Sequence, residues 1–165
     1  MHTTTAADTP ATELLLTAHD FTSARHVVDV LGGAGALLAA VLAEHPQALG
    51  TLFDLPLVID GAGEPLRAAG VDRRCALIGG DAAEHVPLGA DVYLLGRVPQ
   101  DAEVALRVLR TLRTAMTTPA ARLLVLAPTA EVATLTPLLA EAGLHRCELP
   151  RRAGELSILV LSSGS

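Results

Sequence analysis

Short apolar runs alternate along the chain with longer stretches of mixed polarity. His26 to Leu31 (HVVDVL), Leu49 to Asp54 (LGTLFD), Cys75 to Ile78, Asp91 to Leu95 and Arg122 to Ala127 are brief and almost continuously apolar. Strands covered on both faces of a sheet have this character. The intervening stretches predict helices. Ala36 to Glu44 is apolar nearly all round, predicting a buried helix that His45-Pro46 ends. Pro56 to Gly70 is a weakly patterned helix closed by Gly70. Asp101 to Met116 carries the clearest helical signal, with Ala105, Val108, Leu109, Leu112 and Met116 at three-four spacing. Glu131 to Ala142 is helical and capped by Gly143. Leu144 to Leu149 and Leu156 to Leu161 predict two last strands, paired through a turn near Arg152 to Gly154. Such alternation predicts an α/β fold: a doubly wound, mainly parallel sheet with helices on both faces. Ahead of it, Met1 to Pro10 is a polar lead expected to be disordered, and Ala11 to His19 predicts a short helix. Residues 11–165 then form one domain, without internal repeats or a low-complexity linker.

Composition narrows the picture. Half of the residues are hydrophobic, yet the only aromatics are two Phe and one Tyr, so Ala, Leu and Val must fill the core. All 12 basic residues are Arg, and the net charge is −6. That balance argues against a nucleic-acid partner, because phosphate binding depends on basic side chains. The N-terminus lacks the basic region of a signal peptide, and no apolar run reaches the roughly 18 residues of a membrane span. The expectation is a soluble cytoplasmic protein with no membrane association. Cys75 and Cys147 lack metal-ligand spacing and are expected to be buried, inert thiols.

The candidate chemistry starts where the first strand ends. Asp29 precedes the turn Gly32-Gly33-Ala34-Gly35, which opens a helix. In open α/β sheets such a carboxylate, glycine turn and helix N-terminus form a cradle for a small molecule. Asp54-Leu55 follows at the end of the second strand, with Asp54 25 positions after Asp29. This is near the spacing at which a carboxylate takes up ribose hydroxyls. Gly80-Asp81 follows the third strand. A nicotinamide fingerprint fails, because the third glycine position of G-x-G-x-x-G falls on Leu38. No nucleophile elbow, metal cluster or lysine-bearing phosphate loop is present in the sequence.

Taken together, Val28-Asp29-Val30, Gly32-Gly33-Ala34-Gly35, Phe53-Asp54-Leu55-Pro56, Gly80-Asp81 and Ala90-Asp91-Val92-Tyr93-Leu94-Leu95 stand in a familiar order and spacing. In these motifs the chain resembles the S-adenosylmethionine-dependent small-molecule O-methyltransferases, here as a truncated and degenerate member. The resemblance implies a Rossmann-like methyltransferase sheet of strand order 3-2-1-4-5-7-6 with its seventh strand antiparallel. It implies S-adenosylmethionine as cofactor, bound by Asp29, Gly32, Gly33, Gly35, Asp54, Leu55 and Asp81. Asp29 would face the amino-acid portion, Asp54 the ribose hydroxyls and Asp81 the adenine amino group. The plainer alternatives are a capping carboxylate at Asp29, a turn at Asp54 and a solvated loop at Asp81.

Three positions depart from the family pattern. Leu31 replaces the first glycine of its turn, where a side chain would fill part of the pocket. The family's L-H-D-W, source of its general base, is replaced by Leu95-Gly96-Arg97-Val98-Pro99-Gln100-Asp101. Ala127 stands where the family has an acidic residue that orients this base. No other histidine substitutes: His85, the only one near the expected mouth, reads as a solvated loop residue. Arg107, Arg110 and Arg113 read as a solvated helix face. The catalytic residues therefore stay unassigned, and two functions stay open. One is methylation of a small hydroxylated acceptor, in bacterial specialised metabolism, by positioning alone. The other is a protein that does not methylate, either an accessory subunit or a cofactor-independent cyclase or rearrangement enzyme. The expected partner is a small-molecule substrate or a larger biosynthetic enzyme. The family's N-terminal dimerisation domain is expected to be absent, which would leave apolar surface exposed. A homodimer or hetero-complex is thus expected, through Ala11 to Phe21 or Glu131 to Ala142.

Overall fold

The computed structural model describes residues 10–164. The elements follow in the order α1 (Pro10–Ala18), β1 (His26–Val30), α2 (Ala36–Glu44), β2 (Leu49–Asp54), α3 (Pro56–Asp60), α4 (Glu64–Ala68), β3 (Cys75–Gly79), β4 (Val92–Leu95), α5 (Ala102–Ala115), β5 (Arg122–Pro128), α6 (Val132–Glu141), β6 (His145–Arg146), β7 (Arg151–Ala153) and β8 (Leu156–Ser162). All but Pro10 of the lead expected to be disordered lies outside the described residues, and Pro10 itself opens α1.

One sheet runs β3-β2-β1-β4-β5-β8-β6, with β7 also paired to β8. The first five strands are parallel to one another, while β8 lies antiparallel between β5 and β6. The expected strand order therefore holds, with β8 in the place of the seventh strand. Its number changes because the last hairpin contributes the short strand β7. No helix among the described residues is long and apolar enough to cross a membrane.

Alternation along β1 divides the core. Val28 and Val30 join Phe53, Tyr93, Leu95, Leu109 and Leu112 on the α5–α6 side of the sheet. Val27 joins Leu15, Leu38, Leu42, Leu52 and Leu94 on the α1–α2 side. Tyr93 puts its hydroxyl to use inside this core: it donates to the Pro87 carbonyl at 2.7 Å and accepts from Ala90 N at 3.2 Å. Asp101 caps α5 by accepting from the amides of Glu103 and Val104.

Several expectations need correction. The helix expected over Pro56 to Gly70 breaks into α3 and α4 at Gly61–Gly63, where Gly63 takes φ 99° and its amide donates to the Ala34 carbonyl at 3.1 Å. β1 stops at Val30, because Leu31 turns left-handed at φ 57°. β6 is two residues long rather than six. Cys147 is exposed and Cys75 half-buried, so the two thiols are not core residues. Burial pushes the Cys75 thiol up to about 11.

The expected interaction surfaces are also displaced. Leu14, Leu15, Ala18 and Phe21 are buried against the core, as are Leu135 and Leu139 of α6. Of the exposed large apolar side chains, Leu55, Leu57 (88% exposed), Val58, Leu77 and Ile78 lie on and around α3 and β3, while Leu49, Leu88, Val104 and Leu149 are scattered elsewhere. β3 forms one edge of the sheet, so among the described residues its outer side meets no further strand.

Candidate functional site

The sheet places the carboxyl ends of β1, β2 and β4 side by side, with Val30 in register with both Phe53 and Leu95. The chain leaving β1 takes one further ladder step, Leu31 N to the Phe53 carbonyl at 2.8 Å, and then reverses. Gly33 and Gly35 adopt φ 61° and 99°, and the Gly35 amide closes the turn on the Gly32 carbonyl at 3.1 Å. Only residues tolerant of left-handed backbone complete this turn easily. Leu31 shares that conformation without the freedom of glycine, and its side chain lines the resulting cavity.

That cavity measures about 740 Å³. Asp29, Gly32, Gly33 and Asp54 form one wall, and the loop from Gly96 to Gln100 forms the other. Asp54 is buried and orders the turn: Oδ2 accepts from Gly33 N at 2.9 Å and Oδ1 from Leu55 N at 2.7 Å. Asp29 is different. It is 1% exposed, and neither carboxylate oxygen has a hydrogen-bond partner of normal geometry. Burial, then the charge of Asp54, pushes its carboxyl up to about 7, against a weaker opposite pull from the Leu38 amide in the first turn of α2. A buried carboxyl with no partner is costly unless a ligand supplies one.

The other expected site residues lie further out. Gly35 sits at the N-cap of α2, and Leu55 contributes its amide to Asp54, but neither side lines the cavity. Asp81 is exposed and folds back to accept from Ala83 N at 2.9 Å, a local turn bond. His85 sets its ring edge against Phe53 at 5.4 Å and is exposed, as expected of a loop histidine. The arginine face of α5 is engaged at the surface, with Arg107 paired to Glu84 and Arg110 to Glu141.

The structure adds residues that were not candidates: Leu37, Val58, Gly96, Arg97, Val98, Pro99 and Gln100 line the same cavity. A sequence signal existed at Gly96. A Cβ there would lie 2.7 Å from Leu37 Cδ1, so the glycine lets the loop close over the N-terminus of α2. Beyond the Val98–Gln100 segment lies a second cavity of about 360 Å³, bordered by Ala105, Ala127, Glu131 and Leu135.

The residues present fit a cofactor with a cationic group and adjacent hydroxyls. Asp29 is an orphaned acceptor at the cavity floor. Gly32 lies against it with no room for a side chain, and a Cβ on Gly33 would meet only open space. A carboxylate offers about four lone-pair sites, so Asp54 can still accept hydroxyls beside its two backbone donors.

Comparison with known proteins agrees with this geometry. The family model for the O-methyltransferase domain matches residues 3–141. The chain is 44% identical over 122 residues to 3-amino-4-hydroxybenzoate 4-O-methyltransferase of Streptomyces cremeus, covering 72% of this chain and 33% of that protein. It is 39% identical over 111 residues to aclacinomycin 10-hydroxylase of Streptomyces purpurascens, covering 66% of this chain and 29% of the relative. Among solved structures, it superposes on an O-methyltransferase from neocarzinostatin biosynthesis in complex with S-adenosylmethionine and 2-hydroxy-5-methyl naphthoic acid. The TM-score is 0.77 at 27% identity, covering 87% of this chain and 50% of that one. The chain thus spans about a third of these curated relatives' length and half of that structure.

Proposed function

The chain belongs to the O-methyltransferase domain family, and from that premise we propose that it binds S-adenosylmethionine and methylates a ring-borne hydroxyl of a small natural product. The observation that carries this is the orphaned, fully buried Asp29 carboxylate at the floor of a cavity walled by Gly32 and Gly33. Asp29 would accept from the cofactor's ammonium group and Asp54 from its ribose hydroxyls. Gly32, Gly33, Gly35 and the Leu55 amide hold the backbone where both can be reached, and Asp81 would take the adenine edge. Bound there, the cofactor would supply an electrophilic methyl group, which an acceptor oxygen would take with the C–S electron pair left on sulfur and its own proton released to solvent.

The protein's part is positioning. No histidine and no free carboxylate stands on the Gly96–Gln100 wall, and Ala127 offers no acid at the end of β5. A general base contributes about 10²–10⁴-fold, so catalysis here rests on orientation and on an acceptor that ionises readily. That missing base also favours a second reading: a non-methylating enzyme or accessory subunit that keeps the cleft. One relative is, by name, a hydroxylase. Calorimetry of S-adenosylhomocysteine binding to the full chain, followed by mass spectrometry of hydroxyarenes incubated with S-adenosylmethionine, tests the assignment. Binding lost in Asp29→Ala together with a methylated product supports it. Binding without any methylated product overturns methyl transfer, and no binding overturns the cofactor-dependent role and favours the second reading, whose enzyme is cofactor-independent.

Self-association belongs to the same proposal. The unpaired edge of β3 is apolar at Leu77 and Ile78, with Arg73 just before it and Asp81 just after. Two copies paired antiparallel along this edge bring opposite charges together, whereas a parallel pair brings like charges together. Sedimentation of Leu77→Lys should show a smaller dimer fraction than the parent chain, and an unchanged one removes this edge as the interface.

A further inference from the structure

We infer that the acceptor entering this cavity is itself an anion, an aromatic carboxylate bearing the reactive hydroxyl, and that Arg97 receives its carboxylate. The inference rests on the cavity being the cofactor and acceptor site proposed above. Among the described residues, the charged side chains lining it are Asp29 and Asp54, at the ends of β1 and β2, and Arg97, in the loop after β4. A cationic group is therefore drawn to the two aspartates and an anionic one to the arginine.

Arg97 is uncommitted. Arg67, Arg107, Arg110 and Arg151 form ion pairs, and Arg74 and Arg122 donate to backbone carbonyls; of the arginines without such a partner (Arg25, Arg73, Arg97, Arg113, Arg146 and Arg152), Arg97 is the one that lines this cavity. Arg97 is exposed and makes no ion pair or hydrogen bond among the described residues, and Gln100, another donor, lines the cavity three residues on.

Its loop is held at both ends. Gly96 is packed under Leu37, and Asp101 caps α5 through two amides. A planar guanidinium on an anchored loop suits bidentate capture of a carboxylate. Leu31, Leu37, Val58, Val98 and Pro99 supply the apolar walls that an aromatic body needs. The same charge favours the ionised form of a nearby hydroxyl, which lessens the need for the missing base.

A carboxylate at Arg97 has two possible sources, the acceptor or the amino-acid end of the cofactor, and one experiment separates them. Full-length chain and Arg97→Gln are titrated calorimetrically with S-adenosylhomocysteine. Each is then titrated, with and without saturating S-adenosylhomocysteine, with 3,4-dihydroxybenzoate and with its neutral methyl ester. The expected result is that the acid binds about 10–100-fold tighter than the ester, as charge-assisted hydrogen bonds give. In Arg97→Gln that preference disappears, while affinity for the ester and for S-adenosylhomocysteine stays within twofold. Arg97→Lys restores part of the preference. Retained S-adenosylhomocysteine binding shows that each variant is folded. Equal binding of acid and ester by the parent, or no binding of the acid at millimolar concentration, overturns the inference. Weakened S-adenosylhomocysteine binding with an unchanged acid preference assigns Arg97 to the cofactor and also overturns it. Arg97-dependent acid binding with no S-adenosylhomocysteine binding overturns the methyltransfer proposal and leaves the anion site standing.

Discussion

Gly32 lies directly against the Asp29 carboxylate: a Cβ on residue 32 would fall 2.6 Å from Asp29 Oδ2 and 2.4 Å from Leu52 Cδ1. The absence of one side chain thus allows a carboxyl to sit buried at the floor of the cavity. Gly32→Ala must displace either Leu52, which is fully buried, or Asp29. Overpacking of this kind costs about 1–3 kcal/mol. Thermal denaturation should show this loss, and calorimetry should show S-adenosylhomocysteine binding abolished. A variant with unchanged stability and affinity would mean that the turn yields without disturbing Asp29.

Asp29 also predicts a pH dependence. Its carboxyl titrates near 3.8 in the unfolded chain but near about 7 in the folded one. Between these values the native state holds a proton that the unfolded state has lost, so stability falls as pH rises through this window. Asp29→Asn removes this slope. Its gain over the parent should be small at pH 4 and largest above pH 7, bounded by about 4 kcal/mol for a shift of about three units. Urea melts across pH 4–8 would show parallel curves for parent and variant if Asp29 were not the source.

A cationic ligand should reverse part of that penalty. Affinity for S-adenosylmethionine is expected to rise with pH between 6 and 8 in the parent chain and to be flat in Asp29→Asn. The charges facing Asp29 are those of Asp54 and the Leu38 amide dipole. A pH dependence retained in Asp29→Asn would place the titrating group elsewhere.

Leu31 is strained, as a non-glycine residue at φ 57°. Left-handed backbone costs an L-residue about 1–2 kcal/mol. Leu31→Gly relieves this but loses half-buried packing, so stability should change by less than about 1 kcal/mol. The side chain also leaves the cavity, so S-adenosylhomocysteine should bind more tightly. Equal or weaker binding would show that Leu31 packs beside the ligand rather than in its way.

Asp54→Ala removes the acceptor of both Gly33 N and Leu55 N. Buried amides left unsatisfied cost about 1–3 kcal/mol each. Both stability and cofactor affinity should fall, whereas Asp81→Ala, which loses only an exposed turn bond, should leave stability near the parent value. If Asp81 meets the adenine, that variant loses affinity alone.

The sequence by itself determined the sheet. Runs such as Leu123–Ala127 are apolar on both faces and can be satisfied only between two helical layers; the Asp29–Gly35 turn followed from motif and spacing, and the strand order from the family resemblance. Periodicity also placed α2 and β2 with both ends correct. What it missed depended on neighbours distant in sequence. The helix expected over 56–70 breaks because the Gly63 amide finds the Ala34 carbonyl. The Cys147 thiol is exposed, as are both residues of β6 just before it. The apolar surface lies on α3 and β3 because α1 and α6 turn their leucines inward. Periodicity cannot show which strand ends a sheet. Local patterning likewise marked Asp29 and Asp54 as acids, but only the tertiary structure left one without a partner and gave the other two. It also brought Arg97, 68 positions after Asp29, into the lining of the same cavity. Burial and opposition across a cleft depend on chain segments folded together, so they can be seen only once the sheet has formed.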